Sequence, residues 1–122
     1  MAEAKNTFPR ECCGLIEGVR SGDVIEAIRL HPTRNLAVEH DRFEIDPALH
    51  IALLRTLRGT AHGIVGCYHS HPNGKSVPSP RDRAEAREEN FVWLIAGVGE
   101  VVALAAFVPS GGHFRPLHIC AP

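Results

Sequence analysis

The feature that most constrains the fold is a strand-like segment that ends in two histidines. Residues 63–68 are largely apolar, and His69-Ser70-His71 follows them directly. Because side chains of an extended segment alternate between its two faces, His69 and His71 should point to the same side of one strand end. Two imidazoles in that arrangement can bind one metal ion at neighbouring coordination positions.

A helix start follows the histidines after a loop rich in proline and glycine. Ser79 is suited to be the N-cap, Pro80 the first helical residue and Asp82 the third. Residues 83–89 are good helix formers. The loop can return Asp82 to the histidines, and two histidines with one carboxylate are typical of zinc sites that leave a fourth position open to water. The alternative is an ordinary capped surface helix beside two incidental histidines.

These spacings resemble the signature of a known family. The pattern His-x-His, seven residues, Ser, two residues, Asp is that of the JAMM (MPN+) metalloproteases, and every position of it is filled here. The family also carries a glutamate ahead of a Cys-Gly pair, and Glu11 holds that place before Cys13-Gly14. The resemblance extends from about Phe8 to Cys120 and is strongest to the small bacterial branch.

The resemblance implies a complete catalytic arrangement. His69, His71 and Asp82 would bind Zn²⁺, and Glu11 would act as general base and then as general acid. Ser79 would donate a hydrogen bond to the developing oxyanion. The implied reaction is hydrolysis of an amide bond in a peptide or a ubiquitin-like protein, such as a sulfur carrier with a C-terminal glycine. The implied fold is an α/β domain with a mixed β-sheet flanked by helices, resembling that of the cytidine deaminases.

Two other functions are compatible with the same fold. One is a non-catalytic MPN-type scaffold that only binds partners, although such scaffolds usually lose a metal ligand and this chain retains all three. The other is a deaminase, which would need a Pro-Cys-x-x-Cys element that the chain lacks. The insertions with which eukaryotic isopeptidases grip ubiquitin find no room in a chain of this length.

The hydrophobic pattern predicts the elements that surround the motifs. Residues 15–19 and 24–30 should pair as strands around a turn at 21–23, with the pattern broken at 32–35. A short strand at 43–45 should precede a helix that begins after Asp46 and ends near Arg58. Its buried stripe should consist of Leu49, Leu53 and Leu57, widened by Leu54. The remaining strands are expected at residues 91–96, 101–108 and 114–119.

Bulk properties narrow the functional class further. The 122 residues predict one domain spanning 1–122, and 13 basic against 14 acidic residues argue against nucleic acid as a partner. No apolar run is long enough to cross a membrane, and the first residues lack the apolar core of a secretion signal, so a cytoplasmic location is expected. The cysteines show no Cys-x-x-Cys spacing, and the six other histidines have no metal-ligand spacing with one another. The sequence does not fix the oligomeric state.

Overall fold

The computed structural model of the protein describes residues 13–35, 45–71, 76–86, 88–98 and 102–120. Within these ranges six strands form one sheet in the order β2-β1-β3-β4-β5-β6. The strands are β1 (Cys13–Ser21), β2 (Val24–Thr33), β3 (Gly63–His71), β4 (Val92–Val98), β5 (Val102–Ser110) and β6 (His113–Leu117). β3 and β4 run parallel, whereas the other neighbouring pairs are antiparallel. The prediction of an α/β fold with a mixed sheet is therefore confirmed.

Helix α1 (Pro47–Leu57) begins and ends where the sequence predicts. The Asp46 side chain accepts a hydrogen bond from the backbone N–H of Ala48 at 2.9 Å, as an N-cap should. Leu53 is buried between half-buried leucines one turn before and after it. Leu54, however, is 51 % exposed, so the prediction that it widens the buried stripe is wrong. One column of leucines is enough to seat this helix on the sheet.

Helix α2 (Pro80–Glu85) is shorter than its sequence indicates. The run of helix formers reaches residue 89, but Ala86 already has an extended backbone, with φ −78° and ψ 104°. Ala86 packs against the apolar cluster around Trp93. Differences in helix propensity are only a few tenths of a kcal/mol per residue, so tertiary packing decides the end point. Among the described residues, no helix combines the length and apolar character that a membrane crossing requires.

The strand ends agree with most predictions and correct one. Gly111 and Gly112 turn β5 into β6 with φ values of 58° and 81°, conformations that a tight hairpin requires and glycine supplies. The pattern does not break at Pro32, because β2 continues to Thr33 with Pro32 opposite Gly14. A proline is tolerated there because β2 is an outer strand of the described sheet. The expected strand at 43–45 lies mostly outside the described residues, and Ile45 belongs to no regular element.

The two faces of the sheet carry separate apolar clusters. One contains Ile16, Val65, Tyr68, Val92, Ala96, Val98, Ala106 and Val108. The other contains Cys13, Leu15, Leu53, Cys67 and Trp93, with Leu49 and Ala86 packed against it. Both described helices therefore lie on the second face, which we call the helical face and define by Cys67 and Trp93.

A register irregularity in β3 decides which residues reach the helical face. Ile16 pairs with Gly66, but the next residue of β1, Glu17, pairs with Ile64, so Val65 is an extra residue in β3. Ile64 packs on the helical face and Val65 on the opposite one. After the extra residue the alternation resumes, with Cys67 on the helical face.

Candidate metal centre

The two histidines singled out by the sequence lie at the C-terminal end of β3. His69 and His71 follow Cys67 at intervals of two residues, and their solvent exposure is 0 % and 6 %. Asp82, in the first turn of α2, is 4 % exposed. The structure brings these three side chains together at one buried point.

The distances within this triad match the donor set of a metal ion. The Nε2 atoms of His69 and His71 are 2.9 Å apart, and Asp82 Oδ2 lies 3.0 Å from His71 Nε2. Asp82 Oδ1 lies 3.1 Å from His69 Nε2. Ligand atoms about 2.0–2.1 Å from a tetrahedral zinc ion are separated by about 3.3 Å, so the triad is a few tenths of an ångström from that spacing. Among the residues that the structure describes, no other group of three His, Cys, Asp or Glu ligand atoms is this close.

Asp82 is held in the charged form that a metal ion needs. Burial by itself raises the pKa of this carboxyl, but hydrogen bonds with His69 and then His71 act in the opposite direction. The pKa of Asp82 consequently lies well below its ordinary value. A buried carboxylate facing two imidazole nitrogens is a donor set suited to a divalent cation.

A capping box fixes the position of the Asp82 carboxylate. Ser79 Oγ accepts a hydrogen bond from Asp82 N at 3.0 Å, and Ser79 N donates to Asp82 Oδ2 at 2.8 Å. The capped-helix alternative and the metal-site prediction therefore describe the same residues, because the cap orients the carboxylate that faces the two histidines. In this bond the Ser79 hydroxyl acts as an acceptor, which leaves its own hydrogen able to donate elsewhere.

Aromatic side chains form the wall behind His69. The ring centroids of His69 and Trp93 are 5.7 Å apart with an interplanar angle of 89°. His71 meets the His69 ring from another direction, with centroids 4.7 Å apart. The Phe114 ring packs in turn against Trp93, with their centroids 5.6 Å apart. The structure therefore places Trp93 against a candidate ligand.

A second polar cluster on β1 was missed by the sequence analysis. Glu17 Oε1 lies 2.8 Å from His31 Nε2, and Glu17 Oε2 lies 2.5 Å from His62 Nδ1. The hydrogen bonds with His31 and then His62 lower the pKa of Glu17 despite the opposing effect of burial. The three residues come from separate segments, so no short spacing reveals the cluster. The signal available was a glutamate within an otherwise apolar strand.

Several predicted features lie outside the described residues. These are Glu11 and residues 72–75 of the loop rich in proline and glycine. Cys13 and Cys67 are buried on the helical face, and Cys13 pairs with His69 across the β1–β3 ladder. Burial raises the pKa of the Cys67 thiol, which favours its neutral form.

Comparison with known proteins gives a consistent result. The family described as prokaryotic homologs of the JAB domain matches residues 1–108. The desampylase of Haloferax volcanii is 32% identical over 112 residues, which are 91% of this chain and 78% of that protein. A probable TtuB-protein conjugate cleaving protease of Thermus thermophilus is 36% identical over 80 residues, or 65% of this chain and 51% of that protein. A solution structure of a protein from Desulfitobacterium hafniense has a TM-score of 0.85 at 26% identity, covering 98% of this chain and 83% of that one.

Proposed function

Because the chain belongs to the family of prokaryotic homologs of the JAB domain, we propose that it is a zinc-dependent peptidase or isopeptidase. The observation that carries this proposal is the convergence of His69, His71 and Asp82 on one buried point. Relatives named as a desampylase and as a probable conjugate-cleaving protease support a ubiquitin-like protein conjugate as the substrate class. The reaction proposed is hydrolysis of the amide bond that follows the C-terminal glycine of such a protein.

Each residue of the site has its own role in the proposed reaction. His69, His71 and Asp82 would hold Zn²⁺, which when bound supplies a Lewis acid for the amide carbonyl and lowers the pKa of a bound water. Glu11 accepts the proton of the attacking water and passes it to the leaving amine. Its position in the sequence supports this role, because Glu11 precedes by two residues Cys13, the ladder partner of His69.

Ser79 has a second proposed role beyond capping α2. Its hydroxyl accepts from Asp82 N, and its hydrogen donates to the oxyanion that forms during attack on the amide. The same hydroxyl thus orders the first helical turn and stabilises negative charge in the transition state. The non-catalytic scaffold is the alternative function, and it gives no reason to bury a carboxylate against two imidazoles.

Metal binding can be tested without a substrate, because Trp93 is the one tryptophan of the chain. Its ring lies 5.7 Å from the His69 ring, so Co²⁺ bound at the triad should quench its fluorescence. Metal analysis should find about one zinc ion per chain, and His69→Ala or His71→Ala should abolish both signals. His50→Ala, exposed on α1, is the matched control. Unchanged zinc in both ligand variants would rule out the proposed site.

Catalysis needs a separate test with a conjugate substrate. Glu11→Gln should keep its zinc and its fold while turnover falls at least about 100-fold, as expected for loss of a general base. A panel of substrates varied at the acyl side of the cleaved bond should show a preference for glycine. Equal cleavage after glycine and after large aliphatic residues contradicts the substrate proposal while leaving the metal site intact.

A single domain, a cytoplasmic location and the absence of nucleic-acid partners remain part of the proposal.

A further inference from the structure

We propose that Trp93 is a positioning residue that fixes the ring of His69 and thereby sets the affinity of the metal centre. The inference rests on the proposed metal binding and extends it to a residue outside the ligand set. It assigns to Trp93 an effect on the metal that is distinct from its contribution to core packing.

The register of β3 and β4 brings Trp93 to His69. Trp93 pairs with Cys67 and Ile95 pairs with His69, so Trp93 lies diagonally across from His69 on the helical face. The two rings are nearly perpendicular, at 89°, with centroids 5.7 Å apart. This is an edge-to-face contact, the arrangement that aromatic pairs favour.

The contact matters because a histidine ring is otherwise poorly fixed about its last torsion. That torsion joins an sp³ to an sp² carbon and has a broad energy profile. In this site the His69 ring is fully buried between His71 and Trp93. The wall formed by Trp93 keeps Nε2 directed at Asp82, from which it is 3.1 Å away.

Trp93 is itself held in place, as a positioning residue must be. It is 6 % exposed, and the centroids of its ring and of the Phe114 ring are 5.6 Å apart. Phe114 also contacts Phe107 at 6.1 Å. Aromatic rings of β5 and β6 therefore pack around Trp93, and burial together with the contact of Phe114 restricts the indole.

The test compares zinc affinities by competition with a coloured chelator, since the tryptophan signal is lost in the variants. Trp93→Leu should weaken zinc binding about 10- to 100-fold, the usual effect of losing a group that orients a metal ligand. Trp93→Phe should restore affinity to within about threefold of the wild type, because an aromatic wall is retained. Leu94→Ala, on the same strand but packed against the cluster on the opposite face of the sheet, is the control and should bind zinc normally. Thermal unfolding of each variant separates lost stability from lost affinity.

The outcomes distinguish the inference from the function on which it rests. A Trp93→Leu variant that binds zinc as tightly as the wild type and Leu94→Ala do overturns the positioning role and leaves the metal site standing. A wild-type protein that binds no zinc overturns both. If Trp93→Leu does not fold, Trp93→Met replaces the ring with a longer side chain that adapts to irregular space, and the same affinity loss is expected. Wild-type affinity in the folded methionine variant is evidence for packing alone.

Discussion

Gly66 offers the sharpest test of how β3 and β4 are joined near the candidate metal centre. A Cβ added to Gly66 would lie 2.3 Å from the carbonyl oxygen of Val92 and 2.7 Å from its Cβ, whereas ordinary contacts begin at 3.4 Å. Relief requires the two strands to separate by about 1 Å, and overpacking of this kind typically costs about 1–3 kcal/mol. Gly63, on the same strand, has nothing within 4 Å of the corresponding position. Alanine there should be neutral or should stabilise the protein by about 0.4–1 kcal/mol.

The two variants should therefore differ by about 1–4 kcal/mol in the free energy of unfolding, with Gly66→Ala the less stable. Urea denaturation followed by circular dichroism measures this difference, and similar m-values would show that the same surface is exposed in both cases. Gly66→Ala should also bind zinc more weakly, because His69 lies three residues further along the displaced strand. Equal stabilities of the two alanine variants would refute the close backbone approach on which the reasoning depends.

Three further predictions concern the metal, the second polar cluster and the helix cap. Free zinc at 100 times its Kd should add about 2.7 kcal/mol of stability, so a chelator should lower Tm by several degrees; an unchanged Tm would contradict binding to the folded state. Because the pKa of Glu17 is lowered from 4.5, its stabilising effect is complete above that pH and is lost as pH falls through the lower folded-state value. The stability advantage of wild type over Glu17→Gln in urea denaturation should accordingly shrink below about pH 4.5, and a constant difference would refute this. Ser79→Ala should lower the free energy of unfolding by about 1 kcal/mol and should lower turnover by more than this loss of stability explains. Normal turnover would remove Ser79 from oxyanion stabilisation.

The parts of the site that the sequence could predict depend on local rules. Strand alternation places His69 and His71 on one face, and the N-cap chemistry of Ser79 places Asp82 in a first helical turn. Both rules act over a few residues, so packing between distant segments does not change what they predict. The convergence of the two segments was suggested by the family resemblance and by the loop, and the structure brings the segments together.

The features that the sequence could not predict depend on packing between distant segments. Glu17 meets His31 and His62 because three parts of the chain come to the same place on the sheet. The end of α2 is set by the contact of Ala86 with the helical face rather than by propensity. Leu54 has the right spacing for burial, yet the sheet beneath α1 accommodates one column of leucines.

Because β3 contains an extra residue, the site depends on which face of the sheet each side chain of β3 points to, as well as on residue identity. Upstream of Val65, even-numbered positions such as Ile64 face the helices, whereas downstream the odd-numbered ones do. If β3 had no extra residue and Ile64 kept its place on the helical face, strict alternation would put His69 and His71 on the opposite face, where Tyr68 now lies. Because of the bulge, the first part of β3 can pack Ile64 on the helical face while the last part directs His69 and His71 to that same face.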